Sequence, residues 1–326
     1  MVDLVTVCIP VYNGEKYLRE CLLTVLNQTY KAIEIVVVDD GSTDNSVNII
    51  NEFQEIDTRI KLFINEQNLG LVKNWQKCIE LAKGEWIKFI FQDDFLSSDC
   101  IEKMLHACII NEVPICICSR DFIIEDSASV FLKDFFVSNV IKLETYYPTP
   151  RKLIPSDICI IAKHNLLVNF IGEPIVLLFK KCCIEQFGNY NLDLVQLVDY
   201  EFALRICLNS ESFFLPEHLV HFRVHSNSAS DNQFSNNLKL VKNQFVEPLL
   251  MLHEYNFNRY FRILKRNYGA LNLFKRIFFF YYNNKSSYKL PKELENYLFE
   301  RYKGLQLIKF SIPAYKVFNR LKSKLL

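Results

Sequence analysis

No stretch of the 326-residue sequence is apolar for the ~18 residues that a membrane-spanning helix needs. The longest apolar runs, around Phe89–Phe91 and Ile277–Tyr282, are far shorter, so the chain is not expected to cross a bilayer. A basic leader and a cleavage site are also missing: Met1, Val2 and Asp3 run straight into an apolar segment, and no signal peptide is expected. There is no excess of charge of one sign, with 38 Lys or Arg against 37 Asp or Glu, which argues against a generic nucleic-acid binder whose whole domain would be basic. Eleven cysteines are too sparse for a disulfide-stapled secreted scaffold, and several sit in apolar runs (Cys8, Cys116, Cys118), so they are read as reduced and buried. Neither Cys116/Cys118 nor Cys182/Cys183 has the C-x2-C spacing of a zinc knuckle, and no structural zinc is expected. The first strand-to-helix turn, PVYNGEKYL, lacks the G-x-G-x-x-G that lets backbone approach a pyrophosphate, which disfavours a dinucleotide oxidoreductase. Internal repeats and low-complexity segments are absent.

What is present is a chain half apolar by composition, enough for a full core, with its charge unevenly placed. From Tyr255 to the end there are 16 Lys or Arg against 3 Asp or Glu; before it there are 22 against 34. An acidic body thus carries a basic tail, which points to an anionic surface as partner.

The first hundred residues alternate buried-strand and helix patterns. Val5–Val11 is a β-branched apolar run, followed by a helix with Leu18, Leu22, Val25 and Leu26 at helical spacing. A strand over Ile33–Val38 ends at Asp39-Asp40-Gly41-Ser42, and Asp44 is read as capping the next helix. Ile60–Asn65, a loop with Asn68 and Gly70, and a helix LVKNWQKCIELAKG closed by Gly84 follow; Trp86–Phe91 is a fourth strand ending at Gln92-Asp93-Asp94. Strands alternating with helices predict right-handed crossovers and a mostly parallel sheet covered on both faces. Residues 120–172, with Pro148, Pro150 and Pro155, read as loop or short strands; Ile175–Phe179 reads as a strand, and DYEFALRICLNS as a helix.

Ligands of such sheets bind at the carboxyl ends of the strands. Those ends deliver Tyr12, Asp39, Asp40, Asp93 and Asp94 to one edge. Carboxylates at one rim repel a phosphate unless a cation lies between, which points to a divalent metal carrying a diphosphate.

The pieces PVYNGEKYLRECLLTVLNQTY, EIVVVDDGSTDNS, NLGLVKNW, AKGEWIKFIFQDDFL, GEPIVLLFK, DYEFALRI and HFRVHSNSAS, in this order over about residues 4–230, resemble the family 2 glycosyltransferases. The resemblance implies a GT-A fold, Rossmann-like with helices on both faces, over residues 1–235 (a nucleotide-binding half 1–98 and an acceptor half 99–235), followed by a basic, aromatic helical region 236–326. It implies inverting transfer of a sugar from a nucleotide diphosphate-sugar, a UDP-sugar, to a saccharide or lipid-linked glycan of a surface polysaccharide such as lipopolysaccharide, with Mn2+ or Mg2+. By that resemblance Pro10, Val11 and Tyr12 cradle the nucleobase and ribose, Glu15 lies by the ribose, and Asp40 accepts the base N–H, with Asp39 read as a structural partner. Asn68 and Lys73 face the donor, Asp93 the ribose or donor sugar, Asp94 and His225 the metal; Asp199 is the catalytic base, with Glu201 the weaker candidate. Trp75 and His221 are read as structural, Arg205 as an anchor of its helix, and Glu173 as meeting a sugar hydroxyl. One departure stands out: Phe91 occupies the place of the first carboxylate of Asp-x-Asp, so metal affinity without nucleotide is expected to be weak. That departure motivates another reading, a non-catalytic nucleotide-sugar or glycan-binding relative, and a nucleotidyltransferase on a similar sheet is a second alternative. The tail, in which Val317, Phe318, Leu321 and Leu325 oppose Lys316, Arg320, Lys322 and Lys324, is read as a peripheral anchor on the cytoplasmic face of an anionic membrane; a helical cap on the domain is the competing reading.

Overall fold

A computed structural model describes residues 3–226, 241–288, 292–302 and 304–306. The amphipathic end of the tail, with Val317, Phe318, Leu321 and Leu325, and the end of the HSNSAS segment lie outside the described residues. The chain divides into two compact units, 1–235 and 236–326.

The first unit is built on a nine-stranded sheet in the order β3-β2-β1-β4-β8-β6-β9-β5, with β7 paired to β9. Strands β1 (Val5–Val11), β2 (Ile33–Asp39), β3 (Ile60–Ile64) and β4 (Trp86–Phe89) are mutually parallel and alternate with helices α1 (Leu18–Leu26), α2 (Ser46–Ile56) and α3 (Leu71–Leu81). All seven residues of β1 are buried, which is why the run reads as continuously apolar rather than alternating. Each fully buried aliphatic side chain there contributes roughly 1.5–3 kcal/mol. Beyond β4 the path reverses: β8 (Leu177–Lys180) runs antiparallel to both β4 and β6 (Ile115–Ile124), and β6 is parallel to β9 (Ser212–Val224). Six of these nine strands therefore point the same way, and β5 (Phe95–Leu96), β7 (Arg151–Leu153) and β8 run against them.

Several local expectations are corrected. Gly84 does not close α3: the helix stops at Leu81 and Ala82 turns extended. Gly84 is required for close approach instead, since a Cβ there would lie 2.7 Å from Leu4 O and from Thr6 N. Residues 120–172 hold more helix than expected, including α5 (Val130–Asp134) and α6 (Pro155–Ala162), where Pro155 takes the first helical position that its missing N–H suits. The expected strand from Ile175 begins instead as a short 3-10 turn, Pro174–Val176, before β8. Helix α4 (Cys100–Ile110) precedes β6, and α7 (Cys182–Phe187) and α8 (Val198–Cys207) lie between β8 and β9. All eleven cysteines are free thiols, and all but the half-buried Cys182 are buried.

The second unit is helical: α9 (Glu247–Phe257), α10 (Arg262–Tyr268), α11 (Ala270–Tyr288) and α12 (Lys292–Arg301). Its core includes Met251, Tyr255, Phe261, Leu273, Ile277 and Tyr281. Among the described residues no helix is long and apolar enough to cross a membrane.

Candidate active site

The parallel register brings the strand ends together. Val11 pairs with Asp39, and the chain leaving β4 continues alongside β1, with Ile90 N donating to Cys8 O at 3.1 Å. Beyond it Gln92 clasps the residue just after β1 from both sides: Tyr12 N donates to Gln92 Oε1 (2.8 Å) and Gln92 Nε2 donates to Tyr12 O (3.1 Å). Tyr12 is thereby fixed by its backbone while its ring stays 48% exposed, a surface on which a nucleobase can stack. Pro10 and Val11 are buried strand residues and shape this edge through the backbone.

Glu15 is committed to the scaffold. Its carboxylate accepts from Asn45 N (2.8 Å) and its N–H donates to Asp44 Oδ2 (3.0 Å), tying the loop after β1 to the start of α2. Asp44 also accepts from Ser46 N (3.0 Å), but the cap position of α2 is Asn45, so Asp44 holds the approach to the helix rather than capping it as expected. The two carboxylates at the end of β2 differ. Asp40 accepts from Asn65 Nδ2 (2.9 Å), Leu69 N (2.8 Å) and Gly70 N (2.9 Å), pinning the loop that carries Asn68. Asp39 Oδ1 accepts from Gly41 N (3.1 Å) and Ser42 N (2.9 Å), while its Oδ2 is buried with no hydrogen-bond partner. Asn68 closes a local turn by accepting from Gly70 N, and Lys73 is exposed on the first turn of α3. Trp75 is a core residue, stacked on Phe91 at 5.1 Å.

Asp94 is 2% exposed. The short β5 directly after it pairs with β9, Phe95 opposite His221, and this brings Asp94 against the end of β9. There Arg223 N donates to Asp94 Oδ1 (2.8 Å), whereas Asp94 Oδ2 is buried without a hydrogen-bond partner. Burial, followed by the charge of Asp93, pushes the Asp94 carboxyl well above the usual carboxylate range. A buried carboxylate with one orphaned oxygen beside a second carboxylate is a donor set that fits a divalent cation. His225 Nε2 donates to Asp93 Oδ2 (3.0 Å) and its ring lies 4.8 Å from that of Tyr17, so in this arrangement it orients Asp93. Among the described residues no set of three His, Cys, Asp or Glu is placed to hold a metal by itself.

Asp199 lies in the first turn of α8. Its Oδ1 accepts from Tyr200 N (2.6 Å) and its Oδ2 from Asn169 Nδ2 (3.0 Å). Asn169 is itself fixed, its Oδ1 accepting from Ile171 N (3.0 Å) and Gly172 N (2.9 Å). Glu173, next in the chain, forms an ion pair with Arg120 at 2.5 Å. Burial first, then the negative charge of Glu173, pushes the Asp199 carboxyl up to about 7. Glu173 also raises Asp94, so both carboxyls lie within reach of its charge. Glu201 is excluded as a base: it is buried in an ion pair with Arg205 (2.7 Å), which also donates to the carbonyls of Gly188 and Asn189 (both 2.9 Å) and so anchors α8. His221 stacks on Phe95 at 4.6 Å, a structural contact.

Residues 6–170 match the family described as Glycosyl transferase family 2. The chain belongs to that family. A glycosyltransferase of Haemophilus influenzae is 41% identical over 110 residues, which are 34% of this chain and 44% of that protein. More broadly, the chain spans 66%, 44% and 14% of the length of three curated relatives it matches. Among solved structures, S. aureus TarS in complex with UDP-GlcNAc superposes with a TM-score of 0.62 at 16% identity, over 89% of this chain and 77% of that one. The mannosyltransferase PcManGT from Pyrobaculum calidifontis, in complex with GDP-Man and Mn2+, gives 0.55 at 17% identity, over 85% and 71%. These two likenesses bear on the fold, which is of the GT-A kind.

This family 2 glycosyltransferase holds residues at its site that sequence reasoning left without a role: Gln92, Asn169, Tyr17 and Arg223. Gln92 lies inside AKGEWIKFIFQDDFL and Arg223 inside HFRVHSNSAS, so the signal was their adjacency to the carboxylates and His225. Asn169 carried no such signal, since it meets Asp199 only in space.

Proposed function

We propose that the chain transfers a sugar, with inversion, from a UDP-sugar or related nucleotide diphosphate-sugar to a saccharide or lipid-linked glycan in surface polysaccharide biosynthesis. The observation that carries this reading is that a buried carboxylate with an orphaned oxygen, Asp94, and a carboxyl lifted to about 7, Asp199, both lie within reach of the charge of Glu173. Tyr12 offers its exposed ring to the base. For the base N–H, the end of β2 offers Asp40 Oδ2, which takes one bond, and Asp39 Oδ2, which takes none. Asp93, held by His225, faces the ribose or donor sugar, with Asn68 and Lys73 at the rim.

Mn2+ or Mg2+, held through Asp94 Oδ2 and largely by donor and water oxygens, would neutralise charge on the departing diphosphate. Asp199, ionised, accepts the proton of the acceptor hydroxyl as that oxygen attacks the anomeric carbon from the face opposite the diphosphate; the bond from the anomeric carbon to the diphosphate oxygen breaks. Asn169 and the Tyr200 amide keep the Asp199 carboxylate in one orientation for that transfer. The structures that superpose, with UDP-GlcNAc and with GDP-Man and Mn2+ in their sites, support a nucleotide-sugar donor. A thermal-shift screen of nucleotide sugars with Mn2+ tests the donor, since a ligand at 100 times its Kd adds about 2.7 kcal/mol. No marked shift with any nucleotide sugar would reject it.

The acceptor's setting is read from the second unit. Residues 255–291 carry eight Lys or Arg and no Asp or Glu. On α11 the exposed Lys275 and Arg276 lie between Leu271, 66% exposed, and Phe279, 40% exposed. A basic and apolar ridge of this kind suits an anionic lipid surface, at about 1 kcal/mol per basic residue. Sedimentation with phosphatidylglycerol vesicles should deplete the protein from solution, and Lys275→Ala/Arg276→Ala should release it. Equal soluble fractions on anionic and neutral vesicles would reject the membrane reading.

A further inference from the structure

Arg223, next to last in β9, connects more of the site than any side chain assigned above. Its Nε donates to Asp93 O at 2.9 Å and its N–H to Asp94 Oδ1 at 2.8 Å. The two arms of the fork diverge, one nitrogen 2.5 Å from Glu20 Oε2 on α1 and the other 3.3 Å from Glu125 Oε1 just past β6. The guanidinium carbon lies 4.6 Å from the centre of the Tyr17 ring, whose hydroxyl donates to Glu125 Oε2 at 2.7 Å and whose face meets His225. With its side chain 11% exposed, one planar cation bridges α1, the end of β6 and the loop that carries both acidic residues.

We propose that Arg223 is a positioning residue that sets the Asp93-Asp94 peptide so that the unpartnered Asp94 oxygen is aimed at a metal-bound diphosphate. The inference rests on the donor reading above. Three hydrogen-bonding directions in one plane are what a guanidinium supplies and an ammonium does not. Without the fork, the Asp93 carbonyl loses its donor, and Glu20 and Glu125 lose a shared cation. The sign of the consequence separates geometry from bulk charge. Removing a positive charge from a site with four carboxylates around it would, by charge alone, strengthen cation binding. Loss of the aim of Asp94 weakens the joint binding of metal and diphosphate.

The test is the cooperativity between Mn2+ and UDP, or GDP if that binds better, measured by titration calorimetry as the ratio of nucleotide affinities with and without Mn2+. In the wild-type chain the ratio should exceed one. In Arg223→Ala it should fall at least tenfold while UMP affinity stays within about twofold, and Arg223→Lys should recover part of it. An unchanged or larger ratio in Arg223→Ala overturns the positioning role while leaving the donor reading intact. If neither UDP nor GDP binds the wild-type chain, the donor reading fails and takes this inference with it. Should Arg223→Ala not fold, Arg223→Lys decides: a wild-type ratio in that variant refutes the need for the fork.

Discussion

A carboxyl that must take a proton in the rate-determining step has to be ionised first, and Asp199 is lifted to about 7. The free enzyme should therefore show an acid limb in kcat/KM near pH 7, with about one eleventh of the base ionised at pH 6 and a tenfold loss per further unit. Burial is the larger cause of the lift and the charge of Glu173 the second, while Arg120 opposes it. Glu173→Gln removes one negative charge and leaves Arg120 without its partner, and both changes favour the ionised form. The limb should move below 7 yet remain above the ordinary carboxylate value, because burial persists. If it moves by one unit, the pH 6 rate relative to the plateau rises about fivefold. The assay is nucleotide release with donor and acceptor over pH 5–9, run on both proteins at subsaturating acceptor. A limb that stays in place or moves to higher pH in Glu173→Gln refutes the assignment of the limb to Asp199.

Further outcomes follow from the same geometry. Because the folded Asp199 pKa is raised above the ordinary carboxylate value of 3.8, its contribution to stability is fully present below that value and is lost as pH rises through about 7. Asp199→Asn should consequently lose less stability than wild type as pH rises, by about 1.4 kcal/mol between pH 6 and 8 and at most about 4 kcal/mol between pH 4 and 8, as read from denaturant midpoints. Gln92→Ala removes both bonds that hold Tyr12 and should weaken UDP or GDP binding about tenfold with little change in Tm; a wild-type Kd would count against Tyr12 as the base platform. Asn169→Leu should lower kcat with donor Kd unchanged, since it releases the Asp199 carboxylate without touching the nucleotide edge. Gly84→Ala forces a Cβ against Leu4 O and Thr6 N and should cost about 1–3 kcal/mol, visible in Tm alone.

The parts of the fold that could be read in the sequence are those fixed by local pattern. Continuous β-branched runs at Val5–Val11 and Ile33–Val38 announce strands buried on both faces, and the carboxylates that follow them must then lie on one edge. Asp199 and the start of α8 were likewise legible from DYEFALRI. What escaped depends on pairings distant in sequence. Arg223 meets Asp93 and Asp94 because β5, two residues long, joins β9 across some 130 positions, and no local period reveals that. Pro155 looked like a breaker because proline ends helices; here it begins one. Gly84 looked like a helix terminus because glycine often is one, whereas its role is the absence of a Cβ beside the first strand. The different burdens of Asp39 and Asp40 also lay beyond sequence, since they turn on which loop amides each carboxylate meets.

The central claim is that Asp199 is the base of a nucleotide-sugar transferase whose donor binds independently of it. Single-turnover sugar transfer by Asp199→Asn, measured beside its donor Kd, addresses that claim most directly. Transfer should fall at least ~10²-fold to 10⁴-fold, the range a positioned general base supplies, with donor Kd unchanged. Transfer at the wild-type rate with donor bound would contradict it.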